Sequence, residues 1–121
     1  MACKFSELVI DSPDPEPIAR WWARVLDYEI TEVEDDEVEI AGPPGSGPTL
    51  LFVKVPEPKA VKNRLHIDVS PTDRDQGDEL ERLLGLGAQH ADVGQGDVGW
   101  VVLRDPDGNE FCLLSSRRDP W

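Results

Sequence analysis

The chain has 121 residues, of which 39% are hydrophobic and 31% charged, as expected of one globular domain with a core of its own. Its formal net charge of −13 repels phosphate groups, so nucleic acid is not an expected partner. Cys3 and Cys112 lie too far apart to suggest a disulfide framework, and Cys112 is typical of a small core residue. No apolar run approaches the roughly 20 residues that cross a bilayer, and the first residues lack the apolar segment of a signal peptide. We therefore expect a cytoplasmic protein that does not bind membranes.

The first half of the sequence predicts a strand, a helix and three further strands. Asp14 is a suitable N-cap, Pro15 fits the first helical position, and Asp27 ends the helix. The apolar helix positions recur at the spacing of one helical face, and they are Ile18, Trp21, Trp22, Val25 and Leu26. The strands are predicted at 5–10, 28–33, 37–41 and 49–55.

The second half repeats this order. A strand is predicted at 65–70, and Asp73 or Asp75 is the N-cap of a second helix that ends at Gly87. The apolar stripe of that helix consists of Leu80, Leu83 and Leu84. Three strands follow, at 89–93, 99–103 and 109–115.

The two halves are related by an offset of 59 residues, since His66 follows Glu7 by 66 − 7. We therefore predict an α+β fold in a single domain over 1–121, built from two βαβββ modules at about 1–56 and about 64–117. The two modules are expected to form a curved mixed sheet around a cleft, with the helices outside.

Strand periodicity selects the side chains that face this cleft. His66 and Asp68 share the face opposite Ile67, so both are expected to point into the cleft while Leu65, Ile67 and Val69 pack under the helices. Glu110 shares a face with Cys112 and Leu114, and a carboxylate in such apolar company needs a partner or a raised pKa.

Aromatic side chains supply candidate pocket walls. Phe52 on the fourth predicted strand and Trp100 on the seventh are the candidates, together with Asp68 as a polar group. Either aromatic residue could equally belong to the core. Trp121, at the C-terminus, could dock on a neighbouring chain or remain free.

Four stretches resemble the vicinal oxygen chelate superfamily, which includes the glyoxalases and the fosfomycin- and bleomycin-resistance proteins. They are WWARVLDY at 21–28, NRLHIDV at 63–69, LLGLGA at 83–88 and DPDGNEFCLL at 105–114. Their order and spacing are most similar to those of the subgroup known only as glyoxalase-like. Asp27 departs from the family pattern, which has Gly there, although Asp tolerates a left-handed backbone better than most residues.

The resemblance implies a divalent metal site. Metal-using members draw ligands from the first, fourth, fifth and eighth strands, which correspond here to Glu7, the apolar Leu51, His66 and Glu110. Such a set would hold Zn, Ni, Mn or Fe, with Glu110 as the catalytic acid or base. The implied activity is that of a metal-assisted lyase or isomerase acting on a small oxygenated molecule.

The same resemblance leaves other functions open. Bleomycin-resistance members sequester an antibiotic in a cleft at the dimer interface without metal, and a degenerate member could act through protein contacts alone. His66 could be a hydrogen-bonded cleft residue, and Glu110 could be a structural partner of His66 or Arg64. Both the metal-dependent enzyme and the antibiotic-binding protein would bind a small molecule, and for both we expect a homodimer.

Overall fold

The computed structural model describes residues 2–120, so the expectation for Trp121 lies outside the described residues. Two compact units can be distinguished, one running to Pro58 and the other from Lys59 to Pro120. Their elements in chain order are β1 Glu7–Ser12, α1 Pro15–Leu26, β2 Glu29–Val33, β3 Glu37–Ala41, β4 Thr49–Lys54, β5 Ile67–Val69, α2 Gln76–Leu86, β6 Gln89–His90, β7 Val101–Arg104 and β8 Glu110–Leu113. Neither helix in this described part of the chain has the length and apolar character needed to cross a membrane.

The first unit is a four-stranded mixed sheet with α1 packed on β3 and β4. The strand order is β1-β4-β3-β2, with β1 parallel to β4 and the other pairs antiparallel. Alternate residues of the two central strands are buried, as expected for a sheet with one face under a helix. The core between helix and sheet includes the large buried side chains of Trp22 and Ile18 from α1 and of Phe52 and Ile40 from the sheet.

Helix α1 ends where the sequence predicted. Pro15 occupies the first turn, and Asp27 caps the other end in the left-handed region at φ 55°, with its N–H bonded to the Ala23 carbonyl. Asp14 precedes the helix as predicted, but its side chain makes no capping hydrogen bond. Its stabilising effect is therefore smaller than that of a cap whose oxygen reaches a helix N–H.

Strand β2 is the terminal strand of this sheet and is largely exposed. A register shift between Ile30 and Glu32 interrupts its pairing with β3. The pKa of Glu32 is raised by a hydrogen bond with Glu34 and by the negative charge of that residue. The strand thus combines a bulge with neighbouring carboxylates that repel each other.

The second unit repeats the architecture. Its strand order is β5-β8-β7-β6, with β5 parallel to β8. Helix α2 is capped by the Asp75 carboxylate, which accepts a hydrogen bond from the Asp78 N–H at 2.9 Å, and Gly87 ends the helix at φ 114°. The Gln76 side chain donates to the Leu113 carbonyl at 3.2 Å, which ties the start of α2 to β8. The α+β class and the two βαβββ modules are confirmed, with a separate hydrogen-bonded sheet in each unit.

The strands of the second unit are shorter than predicted. Strand β6 has two residues rather than five, and β5 begins at Ile67, so His66 lies just before it. Leu65 is 82% exposed, and the expectation that it packs under a helix was wrong because it precedes the paired part of the strand. Val69 is buried as predicted.

The register of the parallel pairs corrects one predicted equivalence. In the first unit Leu8 pairs with the buried Leu50, and in the second unit Ile67 pairs with the buried Phe111. The first strands are thus offset by 67 − 8 = 59 residues and the last strands by 111 − 50 = 61. The counterpart of Glu110 is therefore Thr49 rather than Leu51, because the first module is two residues shorter between these strands.

Candidate functional site

The hairpin before β8 holds Glu110 at a fixed position. The Asp105 carboxylate accepts hydrogen bonds from the N–H groups of Asp107 at 3.0 Å and Asn109 at 2.9 Å, which is an Asx-type turn. Gly108 completes the turn at φ 91°, a backbone conformation that favours glycine. Because this turn is built from local hydrogen bonds, the residue that follows it enters the sheet in a defined orientation.

Both carboxylate oxygens of Glu110 have partners in the segment that precedes β5. Oε2 accepts a hydrogen bond from Lys59 Nζ at 2.5 Å, and Oε1 accepts one from the Asn63 N–H at 2.8 Å. Arg104, its cross-strand neighbour on β7, brings its Nε to 3.7 Å from Oε2. Only 8% of the Glu110 side chain and 18% of the Lys59 side chain are exposed. Glu110 therefore anchors the segment 59–63 to the end of β8.

The ionised form of Glu110 is favoured. Burial raises its pKa, but the Asn63 N–H and the Lys59 ammonium outweigh that effect, and the pKa lies below its ordinary value. A carboxylate of this kind is a poor proton donor at neutral pH. A metal ion at Glu110 would also have to displace Lys59 and lie beside Arg104, so Glu110 as it stands does not fit the ligand role that the resemblance implies.

A second group of polar side chains lies on the same face of this sheet, two residues further along the strands. Asp68 and Cys112 are register partners on the parallel strands β5 and β8, so their side chains lie next to each other. His66 shares their face, and its Nε2 lies 3.1 Å from Asp68 Oδ1. One potential ligand atom from each of the three residues lies within 4.8 Å of the others.

The thiol in this group is held in its protonated form. Burial raises the pKa of Cys112, and the negative charge of Asp68 and a hydrogen bond with it act in the same direction, whereas Lys62 opposes them. Cys112 is 7% exposed and packs in an apolar cluster with Val102 and Ala91. It is a core residue, as the sequence predicted, and also borders open space.

That space is a cavity of about 480 Å³ on the face of the second sheet. Its apolar wall consists of Trp100, Val102, Leu114 and Val93, and its polar groups include His66 and Asp68. A neighbouring cavity of about 400 Å³ is lined by charged side chains, among them Lys59, Lys62, Arg104 and Asp92. Glu110 and Lys62 border both cavities.

Four of the predicted site residues line the larger cavity, and two others lie in the first unit. His66, Asp68, Trp100 and Glu110 all line the larger cavity. Phe52 is fully buried in the core of the first unit and presents no surface to a ligand, because it lies under α1 on the helix-facing side of β4. Glu7 is exposed at the start of β1, where it pairs with Thr49.

Sequence reasoning missed several participants. Lys59 and Asn63 fall between the two predicted modules, and no local pattern marks them as partners of Glu110. Cys112 could have been found, because alternation placed it on the face of Glu110 and the repeat implied that β5 and β8 are parallel neighbours.

Comparisons with known proteins agree with this architecture. The sequence model of the family described as "Glyoxalase-like domain" matches residues 7–114. No protein of curated function matches the sequence.

Three solved structures illustrate the likeness in fold. The fosfomycin resistance protein FosX from Mesorhizobium loti is 20% identical, with a TM-score of 0.70 over 96% of this chain and 94% of its own. FosX from Listeria monocytogenes, complexed with Mn(II) and sulfate, is 15% identical, with a TM-score of 0.72 over 96% and 92%. A glyoxalase/bleomycin resistance protein from Albidiferax ferrireducens T118 is 18% identical, with a TM-score of 0.61 over 94% and 98%.

Proposed function

Because the chain belongs to the glyoxalase-like domain family of the vicinal oxygen chelate superfamily, we propose that it binds a small oxygenated organic molecule in the larger cavity of the second unit. The single observation that carries this proposal is the cavity itself. Its volume of about 480 Å³ lies within the roughly 300–1,000 Å³ typical of small-molecule sites. It also has the expected division between an apolar wall and a few polar groups.

The two sides of the cavity define the class of ligand. Trp100 is 45% exposed, although a large aromatic side chain is normally buried, and it offers a flat surface for an apolar or aromatic part of a ligand. His66, Asp68 and Gln95 offer donors and acceptors for hydroxyl or carbonyl oxygens. The occupied carboxylate of Glu110 supports binding that does not use it as a metal ligand or base.

Catalysis as a lyase or isomerase is the second candidate function, and the His66–Asp68 contact favours it. An imidazole whose Nε2 lies 3.1 Å from a carboxylate oxygen has a negative charge beside it that stabilises its protonated form, as suits a general base. Incubation of candidate hydroxy- and keto-compounds with the protein, followed by NMR, tests this directly. Loss of turnover in His66→Ala but not in Leu65→Ala, an exposed neighbour, is the result expected of a catalytic imidazole.

The binding proposal is tested with the fluorescent probe anilinonaphthalene sulfonate. Saturable one-to-one binding by the wild type is expected, and Leu114→Trp, which fills the cavity, should weaken it by more than about tenfold, a loss of about 1.4 kcal/mol. Val33→Trp places the same side chain at an exposed site on β2 and serves as the control. Equal affinity in all three proteins would refute the proposal.

The chemistry of the ligand is then narrowed by displacement of the probe. The competitors are small hydroxy acids with and without an aromatic ring, and a cationic glycopeptide of the bleomycin class. Displacement by the small acids alone supports the proposal, whereas displacement by the glycopeptide alone indicates an antibiotic-binding protein. The homodimer and the cytoplasmic location stay predictions, the first of them open to sedimentation velocity.

A further inference from the structure

The second unit contributes side chains to two possible sets of metal donors, and among the described residues those of only one set are free of competing partners. The set implied by the superfamily includes Glu110, whose two oxygens are held by Lys59 and the Asn63 N–H. The other set lies two residues further along the strands, and its carboxylate and thiol, Asp68 and Cys112, are register partners. His66 belongs to both sets.

We propose that His66, Asp68 and Cys112 form a binding site for a borderline-soft divalent cation, with Zn²⁺ as the preferred ion. This goes beyond the proposed ligand binding, since the cation would bind whether or not an organic molecule occupies the cavity. Two of the three donors differ from those that the superfamily pattern supplies.

The geometry requires only small side-chain movements. Metal–ligand bonds of about 2.0–2.3 Å at tetrahedral angles place the ligand atoms about 3.3–3.8 Å apart. His66 Nε2 and Asp68 Oδ1 are 3.1 Å apart, and one potential ligand atom from each of the three residues lies within 4.8 Å of the others. His66 and Asp68 are about half exposed, so their side chains are free to adjust around an ion next to the more rigid Cys112.

The donor atoms determine which ion is preferred. One imidazole nitrogen, one carboxylate oxygen and one sulfur favour Zn²⁺ over Mg²⁺ or Mn²⁺, which prefer oxygen ligands. Three protein ligands leave a fourth position, and the three residues all line the larger cavity, so that position faces open space. Binding converts the Cys112 thiol to a thiolate as the sulfur–metal bond forms, and one proton is released to solvent.

Some of the surrounding charges favour the binding of a cation, and others oppose it. The chain carries a net charge of −13, which attracts a cation, whereas Lys62 on the cavity wall opposes one. The pKa of Cys112 is raised by burial, which adds a cost that the sulfur–metal bond must offset. Lys62 is the only lysine or arginine among the described residues lining this cavity, so a single positive charge faces the three donors.

The test is a titration of the full-length, reduced protein with Co²⁺, followed by competition with Zn²⁺. A sulfur-to-cobalt charge-transfer band should appear with a one-to-one end point, and Zn²⁺ should abolish it. Cys112→Ser should remove the band, and His66→Ala should weaken binding by more than about 100-fold, since losing even a partner of a ligand costs about 10–100-fold. Cys3→Ser, at the exposed cysteine outside the site, should keep both band and affinity.

A measurement on the wild type keeps the proposal falsifiable if Cys112→Ser does not fold. Zn²⁺ should slow the alkylation of Cys112 by at least about tenfold, because the thiol is bound to the ion for most of the time. The alkylation rate of Cys3 should stay the same and serves as the internal reference. Absence of a charge-transfer band in folded wild type overturns the proposal. So does Co²⁺ binding that gives no such band and is lost in Glu110→Gln, because the metal would then use the set that includes Glu110.

Discussion

Replacing Glu110 with Gln tests whether the carboxylate is a structural anchor. Gln keeps an oxygen that can accept the Asn63 N–H, but it presents an uncharged amide to the Lys59 ammonium, now held at 2.5 Å. The two side chains are only 8% and 18% exposed, so water cannot replace the lost partner fully. We expect Glu110→Gln to lower the free energy of unfolding, with little change in the fold.

The magnitude follows from this partly buried setting. A hydrogen bond to a charged group contributes about 1.5–3 kcal/mol, whereas exposed pairs contribute about 0–1 kcal/mol. We therefore expect a loss of about 2 kcal/mol at neutral pH, which is roughly 1 M in urea midpoint for an m-value near 2 kcal/mol/M. The contribution depends on pH because the folded pKa of Glu110 lies below its unfolded value of about 4.3. It is fully present above that value and is lost as pH falls through the folded pKa.

Urea denaturation followed by circular dichroism, at several pH values from neutral to strongly acidic, provides the measurement. The difference between wild type and Glu110→Gln should be constant near neutrality and shrink in acid. Glu16→Gln, which removes the carboxylate of an exposed pair with Arg20 at 3.3 Å, is the matched control and should cost below about 0.5 kcal/mol. Equal losses in the two variants, or a difference that does not change with pH, would refute the reasoning.

Three further predictions follow from the helix ends and the cysteines. Asp75→Ala should cost about 1 kcal/mol in thermal or urea unfolding, since its side chain caps α2, and Asp14→Ala should cost clearly less, since its side chain makes no capping hydrogen bond. Asp27→Gly should stabilise by about 0.5–1 kcal/mol by relieving a left-handed backbone at φ 55°, and any loss of stability would show that its side chain matters more than its backbone. A thiol reagent should modify the exposed Cys3 quickly and the buried Cys112 slowly, with burial and a raised pKa protecting the latter, and two equal rates would contradict the buried position.

The fold could be predicted in detail because its signals are local or repeated. The apolar spacing of α1 and its punctuation by Pro15 and Asp27 set both ends of that helix within a residue. The repeat supplied the module order, and strand alternation placed His66, Asp68 and Glu110 on one face, where the structure has them bordering a single cavity.

The partners within the site could not be predicted in the same way. Contacts such as Glu110 with Lys59 join residues 51 positions apart through an irregular segment, and no periodicity links them. The offset between the last strands of the two modules also depended on the length of the intervening segments. The second module is two residues longer there, so the counterpart of Glu110 is Thr49 and not the predicted Leu51. Phe52 shows the remaining limit, since an aromatic residue on a strand has the same pattern whether it lines a pocket or fills a core.

The carboxylates and the bulge of β2 have a consequence for behaviour in concentrated solution. A terminal strand presents unpaired backbone groups to other molecules, and charge together with irregular pairing hinders edge-to-edge association. Because the pKa of Glu32 is raised by Glu34, this part of the edge loses its charge at a less acidic pH than an isolated glutamate would. Acidification should therefore promote self-association through this edge.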